Sequence, residues 1–458
     1  MKGKNLLVLA AIVLAVGAYI FLFERHQPST EEAAKQAEKV LPELAADDVI
    51  SIAVDGREGQ VKLEKSDDQW RLVEPFAYPA DASKVSSALS ALTGLEADRR
   101  LPAAGADPAE YGLDEPVLTV DLGTSDGGAV EIVVGDELPL GSKRALEVAG
   151  SDEIVVASGW FVNDLDREVD DWRSRQVVDV TADQVASIDI QTGPDHIQVV
   201  RLGDEWQLES PLQDLADADH LQGLISDLNS LQIEEFLDGP QNPAELGLDA
   251  PQYEVVLVRS DGGEPLRLDL GAKRDGEGGT EVACRRGDSE YFWALDRVTT
   301  RLSKAPVLWR SKKVGPFDTW EASAVVFSKG ETSERLTRED YQWRFEDDNA
   351  EADQASVQDR LSALSALEAT DYDLVAPPTS EMGRVEVILG GGEGDQEQET
   401  KTLTFTFYEP LTESGRAMVQ VSERNTVMGV ETADVDAILG NLEELRAEPA
   451  DDSTAASE

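Results

Sequence analysis

The 458-residue chain carries 92 acidic against 40 basic residues, a formal net charge of −52. A surface of that sign repels phosphate backbones and anionic lipid, which argues against nucleic-acid binding. The single cysteine, Cys284, excludes an intrachain disulfide, and the length suits about three domains at ~100–200 residues each.

Residues 1–26 begin with Lys2 and Lys4 and continue as an uncharged, mostly apolar run from Leu6 to Phe23. As a helix that run spans ~27 Å, close to the hydrocarbon thickness of a bilayer. No small-x-small cleavage pattern follows, and the lysines precede the run. The segment therefore predicts an uncleaved, single-pass transmembrane signal anchor in the inner membrane, with the bulk in the periplasm or extracytoplasmic space. The polar stretch 27–46 reads as a stalk.

The rest repeats itself. "WRLVEPFAYPAD" begins at Trp70 and "WQLESPLQDLAD" at Trp206. Alternating apolar and polar residues precede each, with turn residues between, which predicts antiparallel strands closed by the Trp. Pro75 and Pro211, lacking an amide donor, end the pairing. After Asp81 come Val85, Ala88, Leu89, Leu92 and Leu95; after Asp217 come Leu221, Leu224, Ile225, Leu228 and Leu231. Both sets fall on one helical face, and each Asp is placed as an N-cap.

A second shared phrase follows, "DPAEYGLDEP" from Asp107 and "NPAELGLDAP" from Asn242. Here Pro108 or Pro243 opens a helical turn, and Gly112 or Gly247 can close it in the left-handed conformation. Further strands and a second helix lead to "DWRSRQV" at Trp172 and "LWRSKKV" at Trp309. The third copy is degenerate. Trp343, Asp353 and the stripe Val357, Leu361, Leu364 and Leu367 remain, but the Gly-Leu-Asp phrase and the closing Trp-Arg-Ser do not. A worn terminal unit is expected in a repeat array. The predicted fold is thus α+β: after the anchor, three tandem repeats of antiparallel sheet plus helices, each of roughly six strands and two helices. They occupy 47–178, 179–316 and 317–447, with an acidic tail at 448–458.

These ordered phrases resemble the bacterial family of domain of unknown function 4340 (DUF 4340). The resemblance covers the first two copies and is faint over the third. It implies a membrane-anchored extracytoplasmic protein of the kind often encoded with gliding-motility-type ABC-2 transport systems. It supplies no catalytic or ligand-binding residue.

No catalytic constellation is legible, and the chain reads as a non-enzyme. His26, His196 and His220 have no counterparts in other copies, and Cys284 lies in a strand pattern. The acidic clusters Asp214–Asp219 and Asp275–Glu281 offer oxygen ligands without the spacing of a calcium loop. No cofactor or metal is therefore expected. The candidate partner-binding residues are Trp70 and Trp206, together with the basic positions Arg173, Arg175, Arg310, Lys312 and Lys313, which stand out against the acidity. The function these features suggest is an accessory or scaffold subunit contacting permease or auxiliary subunits. The alternative is a repeat module that binds envelope polysaccharide or peptide through its repeated aromatics.

Overall fold

The computed structural model describes residues 38–139, 141–203, 205–374, 381–390, 400–409 and 416–447. The proposed anchor at 1–26, with His26, lies outside them, as does the tail. Among the described residues no helix is long and apolar enough to cross a membrane. The chain divides into two compact units, one up to Arg175 and one from Gln176. The first unit holds one copy of the repeat and the second holds two.

In the first copy nine strands form one antiparallel sheet. They are β1 (Val49–Gly56), β2 (Gly59–Ser66), β3 (Gln69–Glu74), β4 (Tyr78–Pro79), β5 (Ala97–Pro102), β6 (Leu118–Thr124), β7 (Ala129–Glu137), β8 (Lys143–Val148) and β9 (Glu153–Ser158). Their order is β4-β3-β2-β1-β6-β7-β8-β9-β5. The chain meanders out through β4, crosses one face as helix α1 (Ala82–Thr93), and lays β5 on the opposite edge. It then returns to the centre with β6 and meanders outward until β9 meets β5. A short helix α2 (Val162–Leu165) follows.

The second copy repeats this order with β10 (Val185–Thr192), β11 (Asp195–Leu202), β12 (Glu205–Ser210), β13 (Asp214–Leu215), β14 (Ile233–Leu237), β15 (Tyr253–Arg259), β16 (Leu266–Gly276), β17 (Gly279–Arg286) and β18 (Glu290–Leu295). Its helices are α3 (Ala218–Asn229) and α4 (Thr299–Leu302). The third copy has β19 (Ala322–Lys329), β20 (Thr332–Glu339), β21 (Gln342–Phe345), β22 (Glu381–Leu389), β23 (Lys401–Tyr408), β24 (Arg416–Val421) and β25 (Val427–Glu431), with helices α5 (Gln354–Ser365) and α6 (Thr432–Leu439). Its seven strands keep the central order. Where the edge strands would lie, single bridges pair Arg344 with Glu351 and Asp371 with Gly429.

The sheets are therefore larger than the roughly six strands predicted. Two-residue edge strands leave no alternation to read, and the second helix shrinks to one turn plus 3-10 segments in copies one and two, while α6 keeps eight residues. The Gly-Leu-Asp phrase explains part of this. Gly112, at φ 67°, halts the 3-10 turn Pro108–Tyr111 after four residues. A Cβ on the neighbouring Gly135 would stand 2.0 Å from the Tyr111 carbonyl oxygen, so the turn packs directly on β7. Gly271 repeats the contact in copy two, 2.3 Å from the Leu246 carbonyl oxygen. Leu113 and Leu248, the leucines of the phrase, fill small secondary cores with Ala145 and Ile154, and with Ala283 and Trp293.

The recurring tryptophans open their strands rather than close them. Trp70, Trp206 and Trp343 are the second residues of β3, β12 and β21. The hairpin turn ahead of β3 is only two residues, Asp67-Asp68, both at positive φ, so the strand begins one residue before the Trp. Pro75 and Pro211 do follow the strands directly, and both peptide bonds into them are cis. The helix caps match the expectation. Asp81 accepts from the Ser83 and Lys84 amides, Asp217 from His220, and Asp353 from Ser356. On α1 the face Val85, Ala88, Leu89 and Leu92 is buried against Leu63, Leu72 and the inward side chains of the sheet. A bulge in the central pairing also recurs, between Val49 and Ser51, Val185 and Ser187, and Ala322 and Ala324.

Candidate functional site

Each copy carries a recurring set of backbone contacts at its two ends. Lys39, Gln176 and Lys313, spaced at 137 residues, bridge to Glu96, Gln232 and Glu368 just after each copy's helix. The segment read as stalk therefore ends inside the first core, where Val40 and Leu41 are buried. At the far end of each copy, Arg173, Arg310 and Arg446 bridge to Ala80, Ala216 and Ala352 beside the helix cap. The cap's own amide donates to the carbonyl of Trp172, Trp309 or Leu445. Leu445-Arg446 thus does in copy three what Trp-Arg does in the others, although no Trp-Arg-Ser phrase marks it.

An arginine side chain grips the incoming linker of each copy through its carbonyls. Arg100 donates to Lys39 O at 2.6 Å, Arg286 to Gln176 O and Val177 O at 3.1 and 2.9 Å, and Arg424 to Lys313 O at 2.6 Å.

Within the second unit this junction between copies two and three carries buried charge. Asp214 has its side chain fully buried, and Arg424 reaches it with Nε at 2.7 Å and Nη2 at 2.9 Å. Arg310 Nε lies 2.5 Å from the same carboxylate, and its Nη1 lies 2.6 Å from Asp373. The Arg310 guanidinium sits over the Tyr372 ring at 4.4 Å, and the Tyr372 hydroxyl donates to Ser311 O at 3.0 Å. Two carboxylates thus balance two guanidiniums. Burial alone would raise the Asp214 pKa, but hydrogen bonds and charge from Arg424 and then Arg310 outweigh it and hold the group below its usual range. In copy one Tyr78 occupies the equivalent position, and Arg173 lies over its ring at 4.5 Å. In copy three Arg446 lies over Phe345 at 4.0 Å and pairs with Asp348 at 2.7 Å.

This geometry sorts the candidate partner-binding residues. Arg310 is 2% exposed and Arg173 is also buried, so both guanidiniums act inside the fold and present no docking face. Their neighbouring carboxylates and rings, distant in sequence or unmarked by motif, draw them inward. Trp206 is buried beneath Arg201, and Trp343 is buried as well; Trp70 is half-buried against its core. Arg175 is half-exposed, while Lys312 and Lys313 are exposed. Arg424, Tyr372 and Asp373 were not legible, because no repeat or spacing singles them out.

The two described histidines and the cysteine lie within the fold or in local pairs. His220 is buried edge-on to Trp309 at 4.5 Å between ring centroids, and its Nδ1 accepts from Lys304 at 3.0 Å. Burial, then Lys304 and Arg301, lowers its pKa to about 4. His196 pairs with Asp189 at 2.9 Å. Burial pushes the Cys284 thiol well above its usual value. Of the acidic clusters, Asp214 is committed to the junction and Glu281 to Arg274 at 2.7 Å. Among the described residues no group of three or more His, Cys, Asp or Glu side chains is placed to hold a metal ion. A cleft open to solvent lies beside the junction, lined by Glu205, Gln207, Leu215, Val314, Glu423 and Arg424.

An α+β copy whose incoming linker is gripped by an arginine recurs three times, and the sequence places the chain in a family. The pattern described as "Domain of unknown function (DUF4340)" matches residues 70–251 and 206–384, and the chain belongs to that family. No curated protein matches the chain. Among solved structures, a DNA polymerase sliding clamp from Pseudomonas aeruginosa, with ligand, covers 85% of this chain and 92% of its own at 9% identity. Its TM-score of 0.17 is too low to carry an argument.

Proposed function

We propose that this protein is a non-enzymatic, extracytoplasmic accessory or scaffold subunit of an ABC-type, gliding-motility-like transport or cell-surface system. The apolar run Leu6–Phe23 would hold it in the inner membrane, and the repeat array would meet permease or auxiliary subunits. The observation that most supports a scaffold is the use made of its buried charge: Asp214, Arg310 and Arg424 serve to join one copy to the next. Exposed Lys312 and Lys313 at that joint offer basic contacts in an otherwise acidic chain. The alternative, a polysaccharide- or peptide-binding module built on repeated aromatics, is weakened by the burial of Trp206 and Trp343.

Crosslinking the anchored protein in its own membranes, followed by mass spectrometry, tests the proposal. Recovery of a permease with its ATPase supports it, and recovery of wall or polysaccharide material alone refutes it. Deleting residues 6–23 is expected to move the folded protein from the membrane pellet to the supernatant, and continued pelleting would contradict the single anchor.

A further inference from the structure

Copy three differs from its siblings at one surface site. In copies two and three an arginine near the end of the second strand lies beside the 3-10 turn that precedes the first strand. In copy two Arg201 donates to Ala182 O at 2.9 Å. In copy three Arg338 donates to Thr319 O at 3.3 Å and to Trp320 O at 2.5 Å. The middle residue of that turn is Asp47, Asp183 and then Trp320. Two residues before the recurring tryptophan the sequence has Asp68, Asp204 and then Tyr341. An aspartate pair in two copies has become an aromatic pair in the third.

The fold does not ask for either ring. Trp320 is 68% exposed and Tyr341 is 90% exposed. Tyr341 also sits at φ 64°, a left-handed conformation that costs a bulky residue free energy. Arg338 stands 6.0 Å from the Tyr341 ring centroid and donates to the Trp320 carbonyl oxygen, so the two residues flank one guanidinium. Four exposed carboxylates lie within two residues of the rings: Asp318, Glu321, Glu339 and Asp340. The corresponding residues of copy two are Thr181, Gln184, Leu202 and Gly203, none of them acidic. Aromatic faces bind cations through their quadrupoles, and carboxylates at the rim add Coulomb attraction.

From these observations we propose that the Trp320–Tyr341 face of copy three is a docking surface for a lysine- or arginine-bearing segment of a partner protein. A side-chain cation would seat against the rings while neighbouring basic residues meet the acidic rim. The site stands apart from the question of which machine the protein serves.

The test is titration of the full chain, in nanodiscs, with a fluorescent octapeptide of alternating lysine and arginine. The expected result is saturable binding that weakens at least tenfold in Trp320→Ala/Tyr341→Gly. It should weaken comparably in Asp318→Asn/Glu321→Gln/Glu339→Gln/Asp340→Asn, which keeps the rings. Trp160→Ala, removing an exposed Trp of copy one, should leave binding unchanged. Equal binding by the double variant would assign the attraction to net charge alone and overturn the proposal. So would an absence of saturable binding to the unaltered chain. Circular dichroism of each variant separates loss of the site from loss of fold.

Discussion

At the scale of single residues, Asp214 and His220 show opposite uses of burial, with the same sign of pH dependence. Asp214 is ionised between two guanidiniums and has a depressed folded pKa. Its stabilisation is present above the unfolded carboxylate value, about 3.9, and disappears as the pH falls through the lower folded value. Replacing Asp214 with Ala would leave Arg310 and Arg424 buried without their shared counter-charge. The expected loss is about 3–5 kcal/mol of unfolding free energy, measured by urea titration. His220 is kept neutral, with a folded pKa of about 4. The unfolded chain binds its proton from pH ~6.5 downward, so stability should decline between there and pH 4. Comparing unfolding free energies across that window with those of His220→Leu checks the assignment, because the variant should show a flatter profile.

At the scale of elements, the most legible features were those whose physics is local. A capping Asp followed by a one-face apolar stripe lies within one stretch of chain, so helices α1, α3 and α5 could be read directly, including the one in the worn copy. Asp217→Ala is expected to cost about 1 kcal/mol, and an unchanged melting temperature would show that the cap contributes nothing. What escaped the sequence was set by distant partners. Edge strands β4 and β13 exist because β3 and β12 offer them an edge, not because two residues have a pattern of their own. The shared Gly-Leu-Asp phrase looked like a helix ending, and its turn is a short 3-10 segment pressed against a strand about 25 residues later. Arg424 and Asp214 lie 210 residues apart, and nothing in a repeat analysis connects an arginine of one copy with an aspartate found only in another.

At the scale of the whole molecule, the repeat is closer to regular than its sequence suggests. Copy three has lost phrases but retains the central strand order, the cap, the bulge and the closing arginine. Copies two and three share one unit, tied by the buried Asp214–Arg424 pair. Residues 176–458 expressed alone should unfold in one transition. Fragments separated between residues 312 and 313 should each be markedly less stable, since the cut parts Asp214 from Arg424. Independent unfolding of copies two and three in the intact fragment, seen as two calorimetric transitions, would refute that coupling.

The grip on the linkers has a consequence for how such a chain can evolve. Arg100, Arg286 and Arg424 hold carbonyl oxygens, which every amino acid supplies. The seating of each incoming linker on its copy is therefore largely blind to which residues form it. A duplicated copy would find its socket ready-made, and linker side chains could drift without loosening the array. Lys312 and Lys313 occupy such positions: their backbones do the joining, and their side chains are left open to change as partners change.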